Sequence, residues 1–163
     1  MSIEAVRSFF EQYQLDTRIQ EFDASSATVE LAAQALGVEG KRIAKTLSFL
    51  LGDSCILIVA AGDAKVDNRK FKDAFGTKAK LLPHDLVPQY TGHQVGGVCP
   101  FAVKEGVDIY LDESLRRFET VFPASGSSNS AIELSISELE TYSRYKSWVD
   151  VCKGWQDDSE SDV

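Results

Sequence analysis

Lys45 opens the apolar stretch KTLSFLL, directly after Ile43 and Ala44. An ammonium at the mouth of a buried strand must stay solvated or paired. On residue type alone the favoured reading is snorkelling, with the aliphatic stem along the strand end and the head in water. The sharper reading is a cation held at a pocket rim to meet a phosphate or a developing oxyanion. A second concentration of chemistry is TGHQVGGVCPFA, from Thr91 to Ala102, with Gly92, His93, Gly96, Gly97, Cys99 and Pro100. Glycine lets a backbone approach a ligand without a Cβ in the way, and proline fixes φ. His93 has no paired acid in its neighbourhood, so a structural or solvated role outweighs catalysis. Cys99 lacks the adjacent cation or base that a reactive thiol needs. His84 follows Pro83 at a helix start and reads as a surface residue.

Several chemistries are excluded. The three cysteines, Cys55, Cys99 and Cys152, are odd in number and widely spaced, which makes neither a disulfide framework nor a zinc pair. No His, Cys or carboxylate cluster has metal-ligand spacing, so no metal and no cofactor is expected. GVEGK is too short for a phosphate loop and lacks a following Ser or Thr. GHQVGG has no strand leading into it and Pro100 close behind, so it is no dinucleotide fingerprint. The net charge of -8 argues against DNA and against broad nucleic-acid binding. Yet GKRIAK, KVDNRKFK and KAK hold nine of the seventeen Lys and Arg residues, which leaves room for a local positive patch. No apolar run nears the roughly 20 residues of a membrane span, and MSIEAVRSFFEQ does not read as a signal peptide, so the expected location is cytoplasmic.

These residues need elements to hold them. Ile3, Val6, Phe10 and Tyr13 predict a helix over residues 3–14, capped by Ser2. TRIQEF reads as a strand. TVELAAQALG reads as a helix begun from Ser25 and Ser26 and stopped by Gly37. KTLSFLL, a Gly52-Asp53 turn and SCILIVAA predict a hairpin of two buried strands. DNRKFKDAFG predicts a helix with Asp67 as N-cap and Gly76 as its stop. AKLL reads as a strand, and PHDLVPQY as a helix start with proline in its first turn. VDIYLD, SLRRF and ETVFPAS follow as strand, short helix and strand, then a polar GSSNS loop and an AIELSI strand. Ser137 with Glu140 makes a capping-box pattern for a last helix. The whole reads as one mixed α/β domain over residues 1–155, not a doubly wound fold. A disordered acidic tail, residues 156–163, follows it.

The ordered set AAQALGV, IAKTLSF, ILIVAAGDAKVDNRKF, TGHQVGGVCPFA, DIYLDESL and AIELSISEL resembles the YbaK/ProX family, related to the editing domain inserted in bacterial prolyl-tRNA synthetases. The likeness runs from about Thr28 to Tyr142. It implies a compact mixed α/β domain around a barrel-like, mostly antiparallel sheet surrounded by short helices. It implies a trans-editing deacylase that cleaves the ester of a mischarged aminoacyl-tRNA. The family's key lysine maps onto Lys45, and Thr46 lines the site. The glycine-rich loop maps onto Gly92, His93, Gly96, Gly97 and Pro100, and a second loop onto Gly126, Asn129 and Ser130. Water would attack, the glycine loop would approach the ester, and valine at Gly96 or Gly97 would remove activity more than stability. The implied partner is the acceptor end of aminoacylated tRNA, helped by prolyl-tRNA synthetase or an elongation factor. Ala102 stands where the family often has glycine, and Ser130 where several subfamilies have histidine or aspartate; both bear on specificity. The rival from another class is a non-catalytic module that binds aminoacyl-tRNA or a nucleotide.

Overall fold

The structure, a computed structural model, describes residues 2–155, so the acidic tail lies outside the described residues. Helix α1 (Ser2–Glu11) buries Val6 and Phe10 completely. Phe10 meets Phe101 edge-on, centroids 4.9 Å apart, which ties this helix to the far end of the glycine loop. TRIQEF is not one strand. A 3₁₀ turn at Asp16–Arg18 leads into β1 (Gln20–Glu21), only two residues long. Helix α2 (Val29–Leu36) starts from Thr28, whose hydroxyl accepts from the Leu31 N–H, and ends at Gly37 with φ 69°. Ser25 and Ser26 stand too far before the first turn to cap it; both hydroxyls donate instead to the Ser128 carbonyl across the molecule.

The hairpin forms as the alternation of turn and apolar runs requires. Strands β2 (Ile43–Leu51) and β3 (Ser54–Ala61) pair antiparallel around Gly52, with Lys45 opposite Ala60. After β4 (Lys65–Val66), the Asp67 carboxylate accepts from the Arg69 and Lys70 N–H groups and starts α3 (Asn68–Phe75), which Gly76 ends at φ 77°. Residues 79–82 form no regular ladder. They run beside β2, where the Leu50 N–H donates to the Lys80 carbonyl (2.8 Å) and the Leu82 N–H to the Ser48 carbonyl (3.0 Å). Helix α4 (Val87–Thr91) follows a 3₁₀ turn at His84–Leu86.

Strand β5 (Asp108–Asp112), a 3₁₀ segment at Glu113–Arg117 and β6 (Thr120–Pro123) come next. AIELSI splits into β7 (Ser130–Ala131) and β8 (Leu134–Ser135). Helix α5 (Ile136–Ser143) precedes β9 (Ser147–Val149) and β10 (Cys152–Lys153). The capping box of α5 is Ser135 with Glu138, not Ser137 with Glu140. SISELE carries the S-x-x-E spacing twice, and the chain uses the first copy, at the very end of β8.

The main sheet has the order β8-β6-β2-β3-β5-β9. It curls into a half-barrel in a mixed α/β domain. Its β8–β6 and β2–β3 pairs are antiparallel, as are the two-stranded ladders β1–β7 and β4–β10. The joins β2–β6, β3–β5 and β5–β9 are parallel, so the antiparallel expectation holds for the hairpin and the short ladders but not at these three seams. Parallel neighbours need crossovers, here the 3₁₀ segment and the helices, and such pairings leave no local turn signal. The core lies along β3, where every residue from Cys55 to Ala61 is buried.

Candidate functional site

Lys45 sits near the start of β2, beside the point where β3 ends and the chain turns through Gly62–Ala64. Its Nζ donates to the Gly62 carbonyl (3.4 Å) and to the Ala64 carbonyl. An ammonium has three protons, so among the described residues two backbone acceptors leave one donor free. The turn is held by close packing: a Cβ on Gly62 would overlap the Gly40 carbonyl oxygen. Burial pushes the Lys45 pKa below its ordinary 10.5, against the opposing attraction of Asp63 and Glu30. Asp63 is itself committed to Arg117, at 3.0 and 2.6 Å, so Lys45 is steadied by carbonyls rather than by a carboxylate partner.

Lys45 lines a cavity of about 400 Å³ together with Thr46, Gly96 and Ser130. Its walls are largely apolar, from Val29, Ala32, Ile43, Leu47, Val98 and Phe122, and Ser26, Thr28 and His84 add polar groups. The Thr46 hydroxyl is buried with no hydrogen-bond partner among the described residues. A buried hydroxyl left unpaired is unfavourable, so an orphan donor at a cavity wall marks a place where a ligand can bond. Ser130 is buried, and its hydroxyl lies 2.7 Å from the Ser127 hydroxyl, which also donates to Asn129 Oδ1 at 2.9 Å.

The remaining loop residues stand behind this wall. Gly92, His93, Gly97, Pro100, Gly126 and Asn129 do not line the cavity. The Gly92 N–H donates to the Pro88 carbonyl as the cap of α4, and the Gly97 N–H to the Gln94 carbonyl. Gly97 has a different reason to be glycine from the one the sequence suggests. A Cβ there would lie 2.7 Å from Ser127 backbone atoms and 2.8 Å from Gly126 C, so Gly97 lets two loops touch. Asn129 likewise joins loops, its Nδ2 donating to the Phe22 carbonyl (2.9 Å) while the Phe22 N–H donates to its own carbonyl (2.8 Å). Ala102 takes a left-handed φ of 52°, a conformation that favours glycine, and does not line the cavity.

His93 is 1% exposed, and its Nε2 lies 2.7 Å from the Phe101 carbonyl, to which it donates. That bond braces the loop, while the buried Nδ1 has no hydrogen-bond partner among the described residues. Cys99 does have an imidazole nearby, with Sγ 3.7 Å from Nε2 of His93, six residues earlier in the same loop. Burial pushes its thiol up to about 12 and the His93 imidazole down, so neither group is charged at neutral pH and the pair is no nucleophile. Among the described residues no three His, Cys, Asp or Glu side chains gather where they could hold a metal ion. No helix among them is long and apolar enough to cross a membrane. Sequence reasoning missed the cavity's second wall at Ser26–Val29 and its rim at Leu81, His84 and Val95. The exposed apolar side chains of Leu81 and Val95 carried the only signal, and only once the fold placed them at an opening.

The family model of the aminoacyl-tRNA editing domain matches residues 23–142, a span that contains every residue of this cavity. The chain is 54% identical over 157 residues to the uncharacterized protein YwhH of Bacillus subtilis (strain 168), covering 96% of this chain and 100% of that protein. A segment of 90 residues, 55% of this chain, is 30% identical to the proline–tRNA ligase of Halalkalibacterium halodurans, of which it spans 16%. Among solved structures, a proposed trans-editing enzyme for prolyl tRNA synthetase superposes with a TM-score of 0.83 at 27% identity, over 94% of this chain and 98% of that one. The hypothetical protein APE2540 superposes with a TM-score of 0.81 at 27% identity, over 91% and 99%. The YbaK/ProX-type resemblance and the mixed α/β half-barrel thus agree with each other, and the chain belongs to the family of aminoacyl-tRNA editing domains.

Proposed function

We propose that this chain is a trans-acting deacylase: it hydrolyses the ester between an amino acid and the terminal adenosine of a mischarged tRNA. The observation that carries the reading is Lys45, a half-buried ammonium with one uncommitted N–H at the wall of an apolar cavity. An aminoacyl ester is already reactive, so positioning and charge stabilisation do more for it than a strong nucleophile. Water attacks the ester carbonyl carbon. The bond to the ribose oxygen breaks, that oxygen takes a proton, and free amino acid and tRNA leave. Lys45 holds the terminal phosphate or ribose in register, and the Thr46 hydroxyl gains its missing partner from the bound ester. Gly96, the one residue of the predicted glycine set at the cavity wall, brings backbone close to the reacting end. The apolar walls suit a small side chain such as that of alanine or cysteine.

A prolyl-tRNA synthetase or an elongation factor would supply the general tRNA affinity that a chain of net charge -8 lacks, and the site of action would be cytoplasmic. The test is incubation with a panel of mischarged tRNAs, following loss of the amino acid. Turnover on at least one member is the expected result. Binding without turnover would make the chain a non-catalytic module, and activity on free esters alone would remove tRNA from the account.

A further inference from the structure

A second concavity, of about 410 Å³, is lined by Asn68, Arg69, Lys72, Lys78 and Ala79. Arg69 and Lys72 stand three apart on α3 and so share a face. The left-handed Gly76 then turns the chain so that Lys78 returns to that face. All three cations are exposed, and none is in an ion pair among the described residues, although the chain as a whole is acidic. No carboxylate lines the groove. Asp67 is engaged as the cap of α3, and Asp73, exposed on the same helix, is not part of the lining. Three unneutralised cations around one concavity repel each other unless an anion enters.

The groove adjoins the reaction cavity. Ala79 belongs to the groove and Leu81 to the cavity, and residues 79–82 run beside β2 between them. Two residues of chain separate their Cα atoms by at most about 7 Å. A strand whose terminal adenosine sits in the cavity and which leaves over Leu81 meets the cations at once.

We propose that this groove binds the backbone phosphates that precede the terminal adenosine of the RNA, a phosphate subsite separate from Lys45; the proposal rests on the deacylase reading above. Arg69 supplies a planar fork for phosphate oxygens, and Lys72 and Lys78 act as point charges. Local concentration of positive charge also reconciles RNA contact with the acidic whole.

The test uses the full chain and its triple variant Arg69→Gln, Lys72→Gln, Lys78→Gln. The probe is an uncharged RNA hairpin with a single-stranded 3′ CCA end, titrated across salt. Single-stranded contacts contribute a slope of about 0.7 per phosphate, so losing three cations should flatten the log-affinity against log-salt plot by about 2 and weaken binding roughly tenfold at low salt. A charge-preserving triple, Arg69→Lys, Lys72→Arg, Lys78→Arg, should keep most of the slope. Hydrolysis of a short aminoacyl ester of adenosine, which has no preceding phosphate, should be the same in parent and variants. Equal affinity and slope in the Gln triple, or no hairpin binding by the parent, would overturn the subsite. So would an equal loss on the short ester. Should the parent hydrolyse no ester at all, the deacylase reading falls, while the hairpin titration still decides the groove.

Discussion

The Lys45 end of β2 and the loop from Thr91 to Ala102 handle their polar groups in opposite ways. At the strand end, groups are left over among the described residues: Lys45 has a spare N–H, and Thr46 a buried hydroxyl with no partner. In the loop most groups are used up, with the buried His93 Nδ1 the exception, unpartnered among the described residues. His93 is spent on Phe101, Thr91 on Val87 and His93, and the N–H groups of Gly92 and Gly97 on the preceding turns. The loop thus packs mainly against other loops and presents Gly96, Val95 and Val98 to the cavity, while the proposed chemistry rests on the strand end. Abundant glycine signals close backbone approach, but the approaching partner can be another loop rather than a ligand.

The sharpest way to break this contrast is Gly97→Val. The new side chain would drive into the Ser127 backbone, so stability should fall by about 3 kcal/mol or more, read from chemical denaturation, with activity lost because the fold is weakened. A stable but inactive variant would return the loop to the chemistry. The next effect is in the pH profile. Burial holds the Lys45 pKa below 10.5, so the charged form, and kcat/KM with it, should be lost as pH rises through that lowered value, about tenfold per unit beyond it. Stability should move the other way. A lysine whose folded pKa lies below its unfolded one relieves an energetic burden as it deprotonates, so its contribution improves as pH rises from the folded value toward 10.5. Lys45→Met should abolish the alkaline limb, with uncatalysed ester loss subtracted.

Thr46→Val sharpens the same contrast at smaller scale. Removing an unpaired buried hydroxyl should leave stability unchanged or raise it by up to about 1 kcal/mol, while kcat/KM falls roughly tenfold. A loss of stability would mean that the hydroxyl is already satisfied. The smallest effect is Ala102→Gly. A left-handed alanine costs about 1–2 kcal/mol, part of which glycine's backbone entropy offsets, so a gain of about 0.5–1 kcal/mol in melting analysis is expected, with kcat/KM unchanged.

What the sequence carries is what is local. The Gly52 hairpin, the Asp67 cap and the stops at Gly37 and Gly76 were all legible, because turns and caps act over four or five residues. Lys45 was legible as an anomaly, a cation where a buried strand begins. The parallel seams, the contact of Gly97 with Ser127 and the wall at Ser26–Val29 were not, since each joins groups that only the fold brings together. The misplaced cap at Ser137 shows the limit within local signals: two identical spacings, two residues apart, differ only in which one abuts β8.

The most direct test of the account is the single variant Lys45→Ala, assayed on whichever mischarged tRNA the parent clears fastest, with the melting temperature taken alongside. The side chain is half-buried and, among the described residues, hydrogen-bonded only to two carbonyls, so the fold should survive at nearly the parent melting temperature. Hydrolysis should fall about a hundredfold, on the order of 3 kcal/mol of transition-state stabilisation. Hydrolysis at the parent rate, with parent affinity, would make Lys45 a snorkelling strand end and remove the centre of the site.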